Sequence, residues 1–257
     1  MNSKKLAGKI GVIANQNIKE KEYWLRKLSG ELVRTSLPYN HRKYEHLGAL
    51  NKPGTFEVIR FSLNNELFSR LIKLSSGSDP RLHMVLVAGI ETLLYKYSGN
   101  KNIIVGTSVY KQGIKDDFIN TVLPLRNQFW GDMPFKELLL QVRTSIFEAD
   151  ENQDYPIELL LDQLNMPSPG DGGFPLFDVV ILLENIHDKR YIRHINPNII
   201  LSFSRTGESI DGELEYNSLM FDKVMVKKAI DHFIKLIKQV LDNINLRLSD
   251  IDILLEE

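Results

Sequence analysis

Apolar residues recur along this chain with two periods, and the switches between them outline its elements. Tyr23, Trp24 and Leu28 share one helical face between Asn17, a residue suited to capping, and Gly30, which suits a helix end. Phe56, Val58, Ile59 and Phe61 predict a strand. After Asn64, a second candidate cap, Leu67, Leu71 and Leu74 are spaced for an amphipathic helix. Asp79-Pro80 offers a cap followed by a proline whose missing N–H costs nothing in a first turn. Residues 82 to 97 are apolar on most sides, which predicts a central helix. Gly99-Asn100 then turns the chain into a strand over 103 to 106, and 121 to 129 gives the next strand. Phe135, Leu138, Leu139, Val142, Ile146 and Ala149 fall at helical spacing; beyond a corner at 152 to 158, Ile157, Leu160, Leu161 and Leu164 resume the stripe. Residues 174 to 183 form a near-continuous Val- and Ile-rich run, the pattern of a strand covered on both faces and flanked on both sides. Alternating strands at 199 to 205 and 213 to 219 follow, with Asp211-Gly212 as the turn signal. A last helix over about 222 to 245 carries Val226, Ile230, Phe233, Ile237, Val240 and Ile244 on one stripe.

This order of elements predicts an α+β domain, a mixed sheet with helices packed against it. Residues 1 to 16 lack periodic apolar positions and read as a leader; residues 37 to 54 and the Pro/Gly-rich stretch 167 to 173 read as loops. Composition removes several classes of function. With 43% hydrophobic and 25% charged residues the chain has an ordinary globular balance, and its net charge of −1 gives no drive toward nucleic acid or anionic membranes. It contains no cysteine, so disulfides, thiolate nucleophiles and Cys-type zinc sites are excluded. Lys4 and Lys5 precede a run that Gly8-Lys9 interrupts before signal-peptide length, and no stretch approaches a membrane span, so a cytoplasmic location is expected.

Three segments in succession carry a family resemblance. They are Phe118-Ile119-Asn120-Thr121 leading to Pro124-Leu125-Arg126, then Asn152-Gln153-Asp154-Tyr155-Pro156-Ile157-Glu158, then Pro175-Leu176-Phe177-Asp178-Val179. Their order and spacing resemble the C-terminal half of condensation domains of nonribosomal peptide synthetases, and Tyr23-Trp24 resembles that family's mid-domain helix. The resemblance implies one lobe of a chloramphenicol-acetyltransferase-like fold over residues 17 to 248, with 249 to 257 beginning a linker to an adenylation domain. Asn120 and Arg126 would then sit by a lobe interface, Gln153 and Asp154 would hold the helix corner, and Phe177 and Asp178 would belong to the central strand. Phe118, Thr121, Asn152 and Pro156 complete the set of motif positions with structural roles. The chain also departs from the family pattern. The connection between Gly106-Thr107 and Asn120-Thr121 is shorter, Asp116 or Asp117 stands where a glycine is expected, and residues 118 to 126 hold one residue more, which predicts a bulge or a flipped face.

Candidate chemistry is sparse. The family's His-His-x-x-x-Asp-Gly motif is absent, since none of His41, His46, His83, His187, His194 or His232 adjoins another histidine or precedes Asp-Gly at that spacing. No nucleophile elbow, zinc-protease motif or phosphate loop replaces it. His41 to His46 read as a solvated loop, His83 as a satisfied core histidine, Asp116-Asp117 as loop acids, and the pair His187 and His194 around Asp188 and Arg190 as a polar connection. The expectation is therefore a chain without catalytic residues, metal or cofactor of its own. It would act as a platform for an adenylation domain in cis, with phosphopantetheine entering on a partner carrier protein if the family role persists. The alternative is half of a split condensation enzyme, completed by a partner lobe that supplies the paired histidines.

Overall fold

The computed structural model describes residues 17–39, 55–111, 122–167, 169, 172–192 and 195–255, with Asn64 and Asn65 described in backbone only. The expected leader, the loop with His41 and His46, the motif positions Phe118, Asn120 and Thr121, the acids Asp116 and Asp117, and His194 lie outside these residues. Helix α1 (Ile18–Lys27) is followed by strand β1 (Phe56–Asn64) and helices α2 (Asn65–Ser75) and α3 (Asp79–Ser98). Strands β2 (Asn102–Ser108) and β3 (Val122–Gln128) precede helices α4 (Phe135–Glu151) and α5 (Ile157–Gln163). Strands β4 (Val179–Leu183), β5 (Ile199–Arg205) and β6 (Ser209–Asn217) then lead to helix α6 (Lys223–Asp242). The strands form one 6-stranded mixed sheet in the order β1-β6-β5-β4-β2-β3, parallel only where β4 meets β2 and β5.

Strand β4 has neighbours on both sides and every one of its residues is buried, as its unbroken apolar run predicts. Its paired part is shorter than the apolar run: Phe177 and Asp178 come just before it, although the Ile199 N–H already donates to the Asp178 carbonyl at 3.0 Å. Phe177 lies across Gly106 of β2, where an added Cβ would stand 2.4 Å from its ring, so only glycine admits it. Helix α3 is the central helix, buried continuously from Leu82 to Leu94 and packed on the sheet, α4 and α6. Its start differs from expectation. Ser78, in extended conformation, takes the N-cap position, while Asp79 lies in the first turn with its carboxylate 2.7 Å from the Arg205 guanidinium. Gly99 ends the helix in the left-handed region (φ 68°), a geometry that glycine adopts without steric cost.

One other sequence expectation is corrected. Asp211-Gly212 is no turn: both residues lie inside β6, and the chain reverses at residues 206 to 209, where the Thr206 N–H donates to the Ser209 carbonyl. Gly212 is needed because the Phe61 ring of β1 covers it, and an added Cβ would meet that ring at 2.3 Å. Strand β3 carries no bulge over Val122–Gln128, while residues 118 to 121 of the longer motif lie outside the described residues. It pairs with β2 in unbroken register from Ser108↔Val122 to Asn102↔Gln128. As an edge strand, β3 tolerates Pro124, which has no N–H to offer a further neighbour.

Candidate functional site

The motif residues gather at places where the segment from α1 to Tyr39 is fastened to the rest of the fold. At the corner between α4 and α5, the Trp24 indole N–H donates to the Asn152 carbonyl at 2.8 Å, and the Asn17 side chain to the Asp154 carbonyl at 2.9 Å. Asn152 returns its own amide to the Glu148 carbonyl at 2.7 Å, satisfying a loose acceptor at the end of α4. Gln153 reaches Asp150 at 3.4 Å. The start of α5 has Pro156 at its N-cap without a side-chain cap, and Asn17, at the N-cap position of α1, gives its side chain to the corner instead of to its own helix.

Arg126 faces its own chain. Its guanidinium donates to the carbonyls of Ser29 at 2.6 Å, Glu31 at 3.1 Å and Lys27 at 3.3 Å, and so closes the C-terminal end of α1, where helix carbonyls and the negative end of the dipole attract a cation. Asp178 is a second fastening. Fully buried, its carboxylate accepts from Arg34 at 2.5 Å, Tyr39 at 2.8 Å, Asn198 at 2.8 Å and the Ser36 hydroxyl. A buried carboxylate needs such a full set of donors to repay its lost hydration. The position of Asp178 follows from its motif, but of its partners Arg34 and Ser36 lie just before, and Tyr39 within, the stretch that the sequence marks only as a loop.

A third polar group has no motif at all. Glu91 of α3 is fully buried, and both its carboxyl oxygens lie against the Asn127 amide, at 2.9 and 3.0 Å. Asn127 Oδ1 accepts from the Ser145 hydroxyl at 2.7 Å, and Ser145 accepts from Lys27 Nζ at 3.0 Å, which also reaches Glu148 at 3.2 Å. The signal available in the sequence is an acid inside an otherwise apolar helix. This chain of bonds ends at a cleft of about 840 Å³ where α1, β3 and α4 meet, lined among others by Lys27, Arg126, Trp130 and Ser145. Ser145 and Lys27 do not make a nucleophile and base there: the hydroxyl proton is committed to Asn127, and the lysine acts as a donor held between Ser145 and Glu148.

The histidines among the described residues are held in place too, although the buried His83 Nδ1 has no hydrogen-bond partner. His83 and His187 are buried with ring centroids 4.5 Å apart. Thr107 donates to the Ile181 carbonyl at 3.1 Å and receives His83 Nε2 at 3.2 Å, while His187 Nδ1 accepts the Leu183 N–H at 3.0 Å. Tyr110 stacks on the other side of His187. His232 Nδ1 is 2.6 Å from the Tyr97 hydroxyl. Among the described residues no three His, Asp or Glu side chains converge as a metal site, and no helix is long and apolar enough to cross a membrane.

Burial sets the protonation of these groups. It pushes the Glu91 carboxyl up to about 8, against the Asn127 bonds and the Lys27 charge, and it pulls His83 down to about 4. Burial, then the neighbouring His83 and Lys111, lower His187 to about 2. Stability is therefore expected to peak near pH 6.5, the ordinary histidine value. Above that, the folded chain keeps the Glu91 proton that the unfolded chain has released, so stability falls until about pH 8, by up to about 1.4 kcal/mol per pH unit. Below it, the unfolded chain protonates two imidazoles that the folded chain leaves neutral, which outweighs the opposite slope of Glu91. Urea midpoints across this range should show Glu91→Gln flattening the alkaline limb and, because the opposing slope is gone, steepening the acid limb above about pH 4.5; an unchanged alkaline limb in that variant would refute the assignment.

A six-stranded mixed sheet with helices packed against it matches the chloramphenicol-acetyltransferase-like fold of condensation-domain structures, and the chain belongs to the condensation domain family, whose model matches residues 12–257. It is 28% identical over 255 residues to bacitracin synthase 1 of Bacillus licheniformis, covering 92% of this chain and 5% of that protein. It is also 28% identical over 260 residues to gramicidin S synthase 2 of Brevibacillus brevis, covering 93% of this chain and 6% of that protein. Among solved structures, the complex of the X-domain and OxyB from teicoplanin biosynthesis matches with a TM-score of 0.74 at 18% identity, over 93% of this chain and 56% of that one. The chain thus spans little more than half the length of that structural relative and a small part of the curated ones.

Proposed function

We propose that this chain is a structural and interaction lobe of a nonribosomal peptide synthetase, silent in peptide-bond formation by itself, on which a neighbouring adenylation domain rests. The observation that carries this reading is the burial of two of its histidines. Amide formation between carrier-bound substrates by general-base catalysis needs an imidazole within reach of the incoming amine. Here His83 and His187 are sealed in the core, and the sequence holds no paired-histidine motif. The C-terminal end offers a surface for the neighbour. Lys96 donates to the carbonyls of Leu248 and Ser249, and Lys235 pairs with Asp252 at 2.7 Å, so residues 248 to 252 lie along α3 and α6 while Leu254 and Leu255 stay exposed. The X-domain solved with OxyB offers a parallel, a fold of this class holding a protein partner.

The isolated chain, given acyl- and aminoacyl-carrier substrates, should form no amide above a carrier-only control, and product formation would overturn the reading. A second reading is a split enzyme, in which a lobe from another polypeptide would supply the paired histidines. Amide formed only after adding a lobe that bears the His-His-x-x-x-Asp-Gly motif would establish it. Hydrogen exchange separates the two: extension through an adenylation domain should protect residues 246 to 255 under the first, and the added lobe should protect residues 122 to 130 under the second.

A further inference from the structure

Helix α4 has two apolar stripes, and only one of them is used. Leu138, Val142 and Ile146 are buried in the core, whereas Leu140 and Phe147, two turns apart on the outer face, are 51% and 50% exposed. They border a cleft of about 400 Å³ between α4 and the start of α3, floored by Met84 and Val85. Arg81 and Arg143 also line this cleft, and no carboxylate does. Arg143 sits 5.7 Å over the Phe147 ring, and neither arginine has an ion-pair partner among the described residues. An apolar floor between two unneutralised guanidinium groups is a recognition surface without its complement.

We propose that this cleft is a docking groove for an acidic amphipathic helix of a partner protein. Apolar anchors two turns apart match the one-face spacing of a helix laid in a groove, and carboxylates flanking that face would meet the guanidinium forks. A second copy of this chain is a poor occupant. A two-fold interface would set the same cleft against itself and bring Arg81 and Arg143 toward their own counterparts. An anionic lipid surface fits no better, because the site is concave and the chain, at net charge −1, has no basic field around it. This inference does not depend on the proposed function, since it concerns a different face from the C-terminal segment.

The test uses two synthetic helical peptides of about 16 residues, both with leucines on one face, one flanked by glutamates and the other by lysines. Fluorescence anisotropy with the whole chain should show the glutamate peptide binding at least about tenfold more tightly, and less tightly as salt rises. Arg81→Glu with Arg143→Glu should reverse the preference. Leu140→Ser with Phe147→Ser, at exposed positions that leave the core intact, should abolish binding of both peptides while circular dichroism stays unchanged. Equal affinity for the two peptides, binding that survives the serine pair, or none up to about 1 mM would overturn the proposal. So would self-association, or flotation with phosphatidylserine vesicles, that the serine pair removes, since either would assign the surface to another occupant.

Discussion

Replacing Phe177 by alanine is expected to destabilise the chain by about 3–5 kcal/mol, the cost of emptying a buried aromatic site. The ring is fully buried, touches Phe174 with centroids 4.6 Å apart, and fills the space that Gly106 leaves on β2. Backbone on one side and the centre of the sheet on the other leave little freedom to collapse, so the upper half of the range applies. For a chain of this size the midpoint of thermal unfolding should fall by roughly 6–20 °C. Gly106→Ala tests the same contact from the opposite side, because its methyl would overlap the ring. A loss below about 1 kcal/mol in Phe177→Ala would mean that the ring does not fill that space.

Asp178→Ala should cost a similar amount, about 3–5 kcal/mol, by a different route. The substitution removes the acceptor shared by Arg34, Ser36, Tyr39 and Asn198, and takes a buried carboxylate away from a guanidinium only 17% exposed. Its effect should be local first. Amide exchange over residues 31 to 39 should accelerate before the sheet opens, because Arg34, Ser36 and Tyr39 of that segment all donate to this carboxylate. Asp178→Asn keeps the shape and one acceptor oxygen but loses the charge, so it should fall between the alanine variant and the wild type. Unchanged exchange over 31 to 39 in the alanine variant would show that the segment is held by something else.

These two neighbouring residues also show how far the sequence could be read. The apolar run at 174 to 183 announces a central strand because period and composition are local properties, and the motif around Phe177 marks the place. What Asp178 does there depends on residues more than 130 positions upstream, and no local pattern connects them. Asp211-Gly212 shows the opposite failure. The dipeptide is a strong turn signal on its own, but Gly212 was selected by a ring on the next strand, and a cross-strand demand overrides a local preference. The absence of a paired-histidine motif is visible in the letters, whereas the burial of His83 and His187 required the fold. Glu91 was in view as an acid within an apolar helix, yet its partners Asn127 and Ser145 come from β3 and α4 and could be found only in three dimensions.

The fastening of α1 sets an order of events during synthesis. Trp24 bonds a carbonyl 128 residues further along, and Lys27 and Tyr23 bond residues 118 and 125 positions away. At a ribosomal pace of roughly 5–20 residues per second, the partner of Trp24 appears roughly 6–26 s after the indole itself. A helix of 10 residues cannot persist in water over that interval on its own hydrogen bonds. Its two adjacent aromatic rings therefore emerge from the ribosome as an exposed apolar stretch, and α1, the first helix made, settles only after the end of α4 has been made. Nascent chains stalled before residue 152 should be the ones that chaperones hold longest.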